Sequence, residues 1–161
     1  MSELRIGQGL DFHRFAEEGD DPARPLVLGG VELAGERPLV GHSDADALAH
    51  ALTDALFGAA GLGDIGSHFP DNDPAYAGAD SLALLAEAAR RCAAEGWRLV
   101  NADCTVLGER PRVAPHREEM AVHLSAAAGG PVHVKATRPE GLGALGRVEG
   151  LACFAIALLE R

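Results

Sequence analysis

Residues 42–60 read HSDADALAHALTDALFGAA, and this stretch predicts the helix around which the rest of the domain is arranged. At about 100° of rotation per residue, its larger apolar residues fall on one side of a helix and several Asp and His residues on the other. The apolar side consists of Leu48, Leu52, Ala55, Leu56 and Ala59, and the polar stripe consists of Asp46, His50 and Asp54. We expect Ser43 or Asp44 to cap this helix. The polar stripe is either solvated surface or one wall of a site, and spacing alone leaves both interpretations open.

The flanking segments alternate between strand and helix patterns. They predict strands at 4–12, 97–107, 132–137 and 147–159, helices at 81–95 and 115–128, and a small accessory hairpin at 26–33 around Gly29-Gly30. Residues 61–79 show no sustained period, but they carry Ile65, Phe69 and Tyr76, so we expect an ordered functional loop there. This order of segments indicates an α+β fold, a single domain over residues 1–161 with a mixed β-sheet and helices packed on one face.

Composition excludes several classes of protein. The 161 residues carry a formal net charge of -10, which argues against nucleic acid as a partner because binding to phosphate backbones relies on clustered Lys and Arg. Cys92, Cys104 and Cys153 form no C-x-x-C pair, so we expect buried thiols and neither a disulfide framework nor a thiolate zinc site. The N-terminus does not resemble a signal peptide and no apolar run approaches about 18 residues, so we expect a cytoplasmic protein with no membrane segment.

A candidate metal site emerges from residues in the first third of the chain. Asp11 and His13 lie two residues apart at the C-terminal end of the first predicted strand and therefore point the same way from it. With His50 they provide one carboxylate and two imidazoles, a ligand set that suits a catalytic zinc with its fourth position open. Asp46 lies four residues before His50 and is expected to receive the other ring N–H of this ligand. Asp54, one turn further along, serves either the same region or only solvent.

The sequence carries one nucleotide-binding pattern, but the segments around it do not fit a dinucleotide-binding fold. Residues 141–146 match G-x-G-x-x-G after a predicted strand. A dinucleotide fold needs a further helix, a further strand and an acidic residue about 20 positions on, and too little chain remains after Gly146 for these. We interpret this segment as a flexible loop between strands. P-loop, H-E-x-x-H and G-x-S-x-G patterns do not occur in the sequence.

Six motifs follow one another along the chain: Asp11-Phe12-His13, His42-Ser43-Asp44-Ala45-Asp46, the segment from His50 to Leu56, Gly63-Asp64-Ile65-Gly66, Phe69-Pro70-Asp71-Asn72-Asp73 and Arg147-Val148-Glu149-Gly150. In this order they resemble the motifs of the 2-C-methyl-D-erythritol 2,4-cyclodiphosphate synthases of the non-mevalonate isoprenoid pathway. The resemblance implies a homotrimer with active sites between subunits, one zinc per site and a second divalent cation, Mg²⁺ or Mn²⁺. The implied activity is that of a phosphorus-oxygen lyase, which cyclises 4-diphosphocytidyl-2-C-methyl-D-erythritol 2-phosphate and releases CMP.

The same resemblance implies roles for individual residues. Asp11, His13 and His50 bind zinc, and His42 stabilises the transition state. The substrate contacts implied in the first half of the chain are Asp11, Phe12, His13, His42, Ser43, Asp64, Ile65, Gly66, Phe69, Pro70, Asp71, Asn72 and Asp73. The implied pocket for cytidine and diphosphate, contributed by a neighbouring subunit, comprises Gly108, Glu109, Arg110, Pro111, Arg112, Val113, Ala114, Ala136, Thr137, Arg138, Pro139 and Glu140.

The departures from the family pattern lie in the second half of the chain. Arg138 stands where the family commonly has a Thr that also stabilises the transition state, and a guanidinium is larger than a hydroxyl and differently shaped. Arg112 stands where Lys is common, and either cation suits a phosphate. Ala144 replaces a commoner Phe and Val148 a commoner Gly beside Arg147, in a region that in the family lines a central cavity for isoprenoid diphosphates.

Two other functions remain open at this point. A metal-dependent phosphohydrolase would use the same triad to activate water. A catalytically impaired, isoprenoid-binding trimer is suggested by Arg138 and Ala144.

Overall fold

The N-terminal strand lies at one edge of a four-stranded sheet in the computed structural model, which describes residues 2–20 and 24–161. Met1 and residues 21–23, which the predicted domain includes, lie outside the described residues. The sheet contains β1 (Leu4–Arg14), β4 (Arg98–Leu107), β5 (Val132–Thr137) and β6 (Gly150–Glu160), and β2 (Leu26–Leu28) and β3 (Val31–Leu33) form a separate hairpin. The helices are α1 (Ala47–Ala60), α2 (Ile65–His68), α3 (Ser81–Ala94), α4 (Arg117–Ala128) and α5 (Gly143–Gly146), with a 3-10 turn at Pro74–Tyr76.

The sheet has the strand order β1-β6-β4-β5. β6 is antiparallel to both β1 and β4, whereas β4 and β5 are parallel and are joined through α4. The predicted mixed sheet in a single α+β domain is therefore confirmed. α1, α3 and α4 contact the sheet, and α3 also contacts α1 and α4. The three helices cover one face of the sheet with a core built largely from Leu and Ala.

Two glycines in β1 set how closely α1 approaches the sheet. A Cβ atom on Gly9 would lie 1.8 Å from the Ala51 carbonyl oxygen, and one on Gly7 would lie 1.9 Å from the Ala55 carbonyl oxygen. The helix backbone thus rests directly on the strand backbone, which explains why an edge strand tolerates two glycines. Two residues of strand and four of helix advance by about the same distance, so this contact fixes the register of α1 along β1.

Asp46 caps α1, which corrects the expectation that Ser43 or Asp44 would do so. Its side chain accepts hydrogen bonds from the Leu48 and Ala49 backbone N–H groups. It also accepts from the N–H groups of Gly29 and Gly30 in the β2–β3 turn, at 2.9 Å and 2.7 Å. Asp46 is fully buried, so this carboxylate ties the hairpin to the start of α1 instead of lying on a wet helix face.

The other face of the sheet carries a set of exposed apolar side chains. Ile6 is 73% exposed, Phe12 61% and Ile156 52%, and Leu10 is also exposed. In the antiparallel pairing of β1 with β6, Leu10 lies opposite Phe154 and Phe12 opposite Ala152. No element of the described chain covers this apolar face. No helix within residues 2–20 and 24–161 combines the length and the apolar character that crossing a membrane requires.

The segment from Gly141 to Glu149 differs from the loop expected there. Gly143–Gly146 forms the short helix α5, and the N–H groups of Gly146 and Arg147 donate to the carbonyls of Leu142 and Gly143. The last strand consequently begins at Gly150, three residues later than predicted. A single turn of helix is too short to produce an apolar period, so the sequence contained no pattern for it.

Candidate metal centre

The end of β1 and the first turn of α1 bring the side chains of Asp11, His13 and His50 together. One potential ligand atom from each of the three lies within 4.8 Å of the other two. Asp11 Oδ2 is 2.9 Å from His13 Nδ1 and 3.2 Å from His50 Nδ1. The cluster exists because Asp11 and His13 point toward α1 from the same face of β1, while the contact of Gly9 with Ala51 places His50 beside them.

The surroundings of His13 Nδ1 indicate whether this cluster suits a cation. The atom is buried and has no hydrogen-bond partner among the described residues, although Asp11 Oδ2 lies 2.9 Å away. The pair is close but lacks hydrogen-bond geometry, which is the arrangement expected of two atoms that share one cation. A divalent ion there would satisfy both atoms, and the set of two imidazoles and one carboxylate fits zinc. Asp11, His13 and His50 are thus the residues that can hold a metal.

Asp11 and His50 influence each other's protonation. Burial raises the pKa of Asp11, but the close contacts and charge interactions with His13 and His50 outweigh it, and the pKa is lowered. Burial lowers the pKa of His50, yet its hydrogen bond with Asp11 and the charges of nearby carboxylates leave that pKa raised. Asp11 is therefore an anion ready to bind a cation, while protons and metal compete for His50.

The second ring nitrogen of His50 contacts serines, which corrects the expectation that Asp46 would receive it. His50 Nε2 lies 2.8 Å from Ser81 Oγ and 3.1 Å from Ser43 Oγ. The Asp46 oxygens instead accept the four backbone N–H groups described above, because the residue lies at the N-terminus of α1 with its side chain turned into the core. The sequence pattern missed Ser81, which is 31 residues from His50 and opens a different helix.

A cleft of about 610 Å³ opens beside the three ligands. It is lined by Asp11, His13, Gly41, His42, Ser43, His50, Ile65, Gly66, Phe69, Pro70, Asp71, Asn72, Tyr76 and Leu84. Most substrate contacts expected from the first half of the chain therefore surround one space. The sequence does not predict Gly41, Tyr76 or Leu84 in this lining, although Tyr76 indicates an ordered loop.

Three expected contacts lie differently. Asp64 caps α2 by accepting from the N–H and hydroxyl of Ser67, and Asp73 caps the 3-10 turn by accepting from the Ala75 N–H. The Asp73 carbonyl oxygen is 3.1 Å from His42 Nε2, so its backbone still borders the cleft. Phe12 points to the opposite face of the sheet and lines a different, smaller cavity.

The loop between α1 and α3 is held against the helices by side chains beneath it. Asp54 accepts the Ile65 N–H at 2.7 Å, so it supports the cleft wall and is not merely solvated. The His68 ring stacks on Phe57 with centroids 4.0 Å apart, and His68 Nδ1 lies 2.7 Å from Arg91 Nη1. The Arg91 guanidinium also lies 5.0 Å from the centre of the Phe69 ring. These contacts keep the loop ordered despite its irregular sequence.

A second cavity, of about 550 Å³, lies at the ends of β4 and β5. It is lined by Gly108, Glu109, Pro111, Arg112, Val113, Ala114, Pro115, Ala136, Thr137, Arg138 and Glu140. Glu109 accepts from Arg138 Nε at 3.0 Å and from the Gly141 N–H at 2.8 Å, so it holds Arg138 at the cavity wall. Of the residues expected here, Arg110 instead pairs with Glu36 at 2.8 Å, and Pro139 is absent from the lining of this cavity in the described chain.

The residues expected at a central trimer cavity lie near the third pocket. Ala144 lines it together with Phe12, Leu145 and Glu149, and its volume is about 230 Å³. Arg147 is exposed and pairs with Glu149 at 2.7 Å.

The fold and the site together define a class of single-domain α+β proteins. In this class a strand end and a helix place one carboxylate and two histidines, which could hold a metal ion, beside a cleft. Within that class, the chain belongs to the YgbB family, whose model matches residues 4–160.

Individual proteins that are similar to this chain give a more specific comparison than the family model. The chain is 56% identical over 160 residues to the 2-C-methyl-D-erythritol 2,4-cyclodiphosphate synthase of Laribacter hongkongensis, which covers 98% of this chain and 96% of that protein. It is 55% identical over 161 residues to the bifunctional enzyme IspD/IspF of Anaeromyxobacter dehalogenans, and the match covers 98% of this chain but 40% of that enzyme. A solved structure described as IspF of Plasmodium falciparum in complex with CDP matches with a TM-score of 0.82 at 30% identity, covering 97% of this chain and 95% of that one. The family resemblance seen in the motifs is confirmed.

Proposed function

We propose that this protein converts 4-diphosphocytidyl-2-C-methyl-D-erythritol 2-phosphate to 2-C-methyl-D-erythritol 2,4-cyclodiphosphate and CMP, in non-mevalonate isoprenoid biosynthesis. The observation that carries the proposal is the cluster of Asp11, His13 and His50 on a cleft shared with His42 and Ser43. Relatives named for this activity match the chain over nearly its whole length.

The reaction is an intramolecular displacement at phosphorus. An oxygen of the substrate's 2-phosphate forms a bond to the β-phosphorus of the diphosphate. The bond from that phosphorus to the oxygen it shares with the cytidylate phosphate breaks, and CMP leaves with that oxygen. No water enters the product, so the enzyme is a lyase. Because the nucleophile is already an anion, the protein has little need of a general base, and positioning and electrostatics carry the rate.

We assign Asp11, His13 and His50 to zinc, and a second divalent cation, Mg²⁺ or Mn²⁺, to the substrate diphosphate. When bound, these cations neutralise phosphate charge and favour in-line geometry. We assign His42 and Ser43, which line the same cleft, to the substrate phosphates. The Gly78 N–H donates to the backbone carbonyl of His42, which fixes the backbone, and the Asp73 carbonyl lies 3.1 Å from His42 Nε2, which orients the imidazole. In this assignment His42 stabilises charge that develops in the transition state.

The methylerythritol portion is assigned to the loop between α1 and α3. Ile65, Gly66, Phe69 and Pro70 offer apolar and backbone contacts, and Asp71 and Asn72 offer acceptors for hydroxyl groups. The support of this loop by Asp54 and Arg91 gives it the rigidity that an aligned reaction needs.

We further propose that the protein is a homotrimer and that the cavity containing Arg112 and Arg138 completes the metal cleft of the neighbouring subunit. The exposed apolar face of the sheet supports assembly, since Ile6, Phe12 and Ile156 would be costly to leave in water. The cavity has the cations and backbone groups that a cytidine diphosphate requires. Arg138, held by Glu109, takes the role of donor to the diphosphate.

The central cavity of the trimer is assigned to an isoprenoid diphosphate, with Arg147 as the cation for its phosphates. Ala144 in place of an aromatic side chain leaves more room beside Phe12 and Leu145.

The decisive experiment incubates the purified protein with the cytidyl substrate and Mg²⁺ and analyses the products by mass spectrometry. We expect CMP and the cyclic diphosphate in equal amounts. Linear methylerythritol phosphates beside CMP would contradict the proposal. Repeating the reaction in water enriched in oxygen-18 separates cyclisation from hydrolysis, because only hydrolysis transfers solvent oxygen to the product.

A further inference from the structure

His50 has a defined partner at each ring nitrogen. Its Nδ1 faces Asp11 Oδ2 at 3.2 Å, on the side where His13 also converges. Its Nε2 faces Ser81 Oγ at 2.8 Å, on the side away from the cluster. Only one of these nitrogens has a free lone pair in a neutral imidazole, so the partner at Nε2 determines whether Nδ1 can bind a cation.

The hydrogen bonds around Ser81 decide the direction of that contact. The Ser81 hydroxyl donates to Asp44 Oδ1, and the Ser81 N–H donates to Asp44 Oδ2 at 3.0 Å. An ionised carboxylate only accepts, so the Ser81 hydroxyl hydrogen is committed to Asp44. Ser81 Oγ can then only accept from His50, which places the ring hydrogen on Nε2 and leaves the Nδ1 lone pair directed at the cluster.

Ser81 is suited to this task by its position. It is the first residue of α3 and fully buried, and Asp44 is fixed by its own N–H, which donates to the Ala79 carbonyl. Ser43 Oγ is a second, longer contact of His50 Nε2 at 3.1 Å, and it also accepts the Ala45 N–H. Loss of Ser81 therefore weakens the arrangement around Nε2 without removing every acceptor.

We propose that Ser81, backed by Asp44, is a positioning residue that holds His50 in the tautomer and ring orientation required for metal binding. This inference rests on the proposed zinc site, and it adds a chain of hydrogen bonds from His50 through Ser81 to Asp44. Partners of this kind behind a metal-binding histidine typically contribute about 10- to 100-fold to metal affinity.

The test compares zinc affinity in metal-free protein, measured by competition with a chromophoric chelator. We expect Ser81→Ala to bind zinc about 10- to 100-fold more weakly than the unmodified protein. We expect Ser81→Thr, which keeps the hydroxyl, to restore most of the affinity. The matched control is Thr53→Ala, which removes another fully buried hydroxyl, bonded at 2.8 Å to the Ala49 carbonyl of α1. Thr53→Ala should bind zinc as the unmodified protein does.

A spectroscopic readout separates positioning from general destabilisation. The visible bands of Co²⁺ bound in place of zinc should change in Ser81→Ala, because the angle of the His50 ring changes, and should be preserved in Thr53→Ala. Thermal unfolding of the metal-free variants, followed by the fluorescence of Trp97, shows whether each is folded.

The outcomes distinguish this inference from the zinc assignment itself. If the unmodified protein binds no zinc, the metal assignment fails. If it binds zinc and folded Ser81→Ala binds equally well, the positioning role is overturned while the metal site stands. Equal losses in Ser81→Ala and Thr53→Ala also overturn a specific role. If Ser81→Ala does not fold, the zinc affinity of Asp44→Asn is measured in its place. Weaker zinc binding in that variant supports the chain of hydrogen bonds, and unchanged binding refutes it.

Discussion

Substituting Gly9 by Ala should damage both the fold and the metal cluster, because this glycine lets α1 rest on β1. The new Cβ would lie 1.8 Å from the Ala51 carbonyl oxygen and 2.8 Å from the Ala55 nitrogen, and both are backbone atoms. To restore an ordinary van der Waals separation, α1 must retreat from the strand by roughly 1.5 Å. His50 adjoins Ala51 and would move with it, whereas a metal site tolerates errors of only about 0.2 Å in its ligand distances.

The energetic cost follows from the same contact. Overpacking a core usually costs about 1–3 kcal/mol, and a clash between two backbones lies at the upper end or beyond. We therefore expect Gly9→Ala to lose about 3 kcal/mol of the free energy of unfolding. For a domain of this size, that loss lowers Tm by about 6–12 °C. We also expect zinc affinity to fall to the level of a two-ligand site.

Gly58→Ala is the matched control, since it adds the same methyl group from the helix side of the contact between α1 and β1. The nearest atoms to its Cβ would be 3.9 Å and 4.0 Å away, which is ordinary contact. Replacing this glycine in the helix interior should stabilise the protein by about 0.5–1 kcal/mol. Trp97, the only tryptophan and a buried one, reports unfolding in heat and in urea. Unchanged stability and zinc affinity in Gly9→Ala would refute the argument that backbone contact sets the site.

Three further predictions concern the cleft. His50→Ala should remove zinc and activity together, measured by metal analysis of the purified protein and by CMP release; an active, zinc-free variant would show that the triad is misassigned. Zinc affinity should be greatest above the raised pKa of His50 and should fall as the pH drops through that pKa, because the protonated imidazole cannot bind metal. The pKa is raised because burial, which lowers it, does not offset the effect of Asp11. Equilibrium dialysis between pH 5 and 8 measures the zinc affinity, and an affinity that does not change with pH would count against the prediction. Arg91→Met should raise KM for the substrate severalfold with a smaller change in kcat, since the loop loses the contacts of Arg91 with His68 and Phe69. Steady-state kinetics measure both constants. Zinc affinity is the control, and a loss of zinc affinity would show that the substitution acts on the metal site and not on the loop.

The regular elements were largely predictable from local pattern. The predicted helices and strands of the sheet are all present, because apolar periods of 3.6 and 2 report directly which side of a segment is buried. The short helix α5 was not predictable, since one turn has no period to detect. The residues that could hold a metal were predictable as residue types, because few side chains bind metal ions and these three occurred at suitable spacings.

The role of Asp46 shows where local pattern misleads. A helical projection places it on the same stripe as His50, which suggested a hydrogen bond between the two side chains. The hairpin turn at Gly29-Gly30 instead presents two backbone N–H groups to this carboxylate, which also caps α1. Four backbone N–H donors, two from the hairpin turn and two from the start of α1, bind this carboxylate in preference to one imidazole. The sequence contains no local pattern that shows these two segments to be in contact.

The sequence by itself determined the α+β order of elements, the chemistry of Asp11, His13 and His50, and membership of a family recognisable from its motifs. Tertiary structure alone decided that Ser81 and not Asp46 faces His50, that Asp54 supports the cleft wall, and that one face of the sheet remains apolar and exposed. The physical reason is the distance along the chain over which each property is determined. Periodicity and ligand type are properties of a residue and its neighbours along the chain, whereas a hydrogen-bond partner depends on which distant segments the packing of α1 on β1 brings within reach.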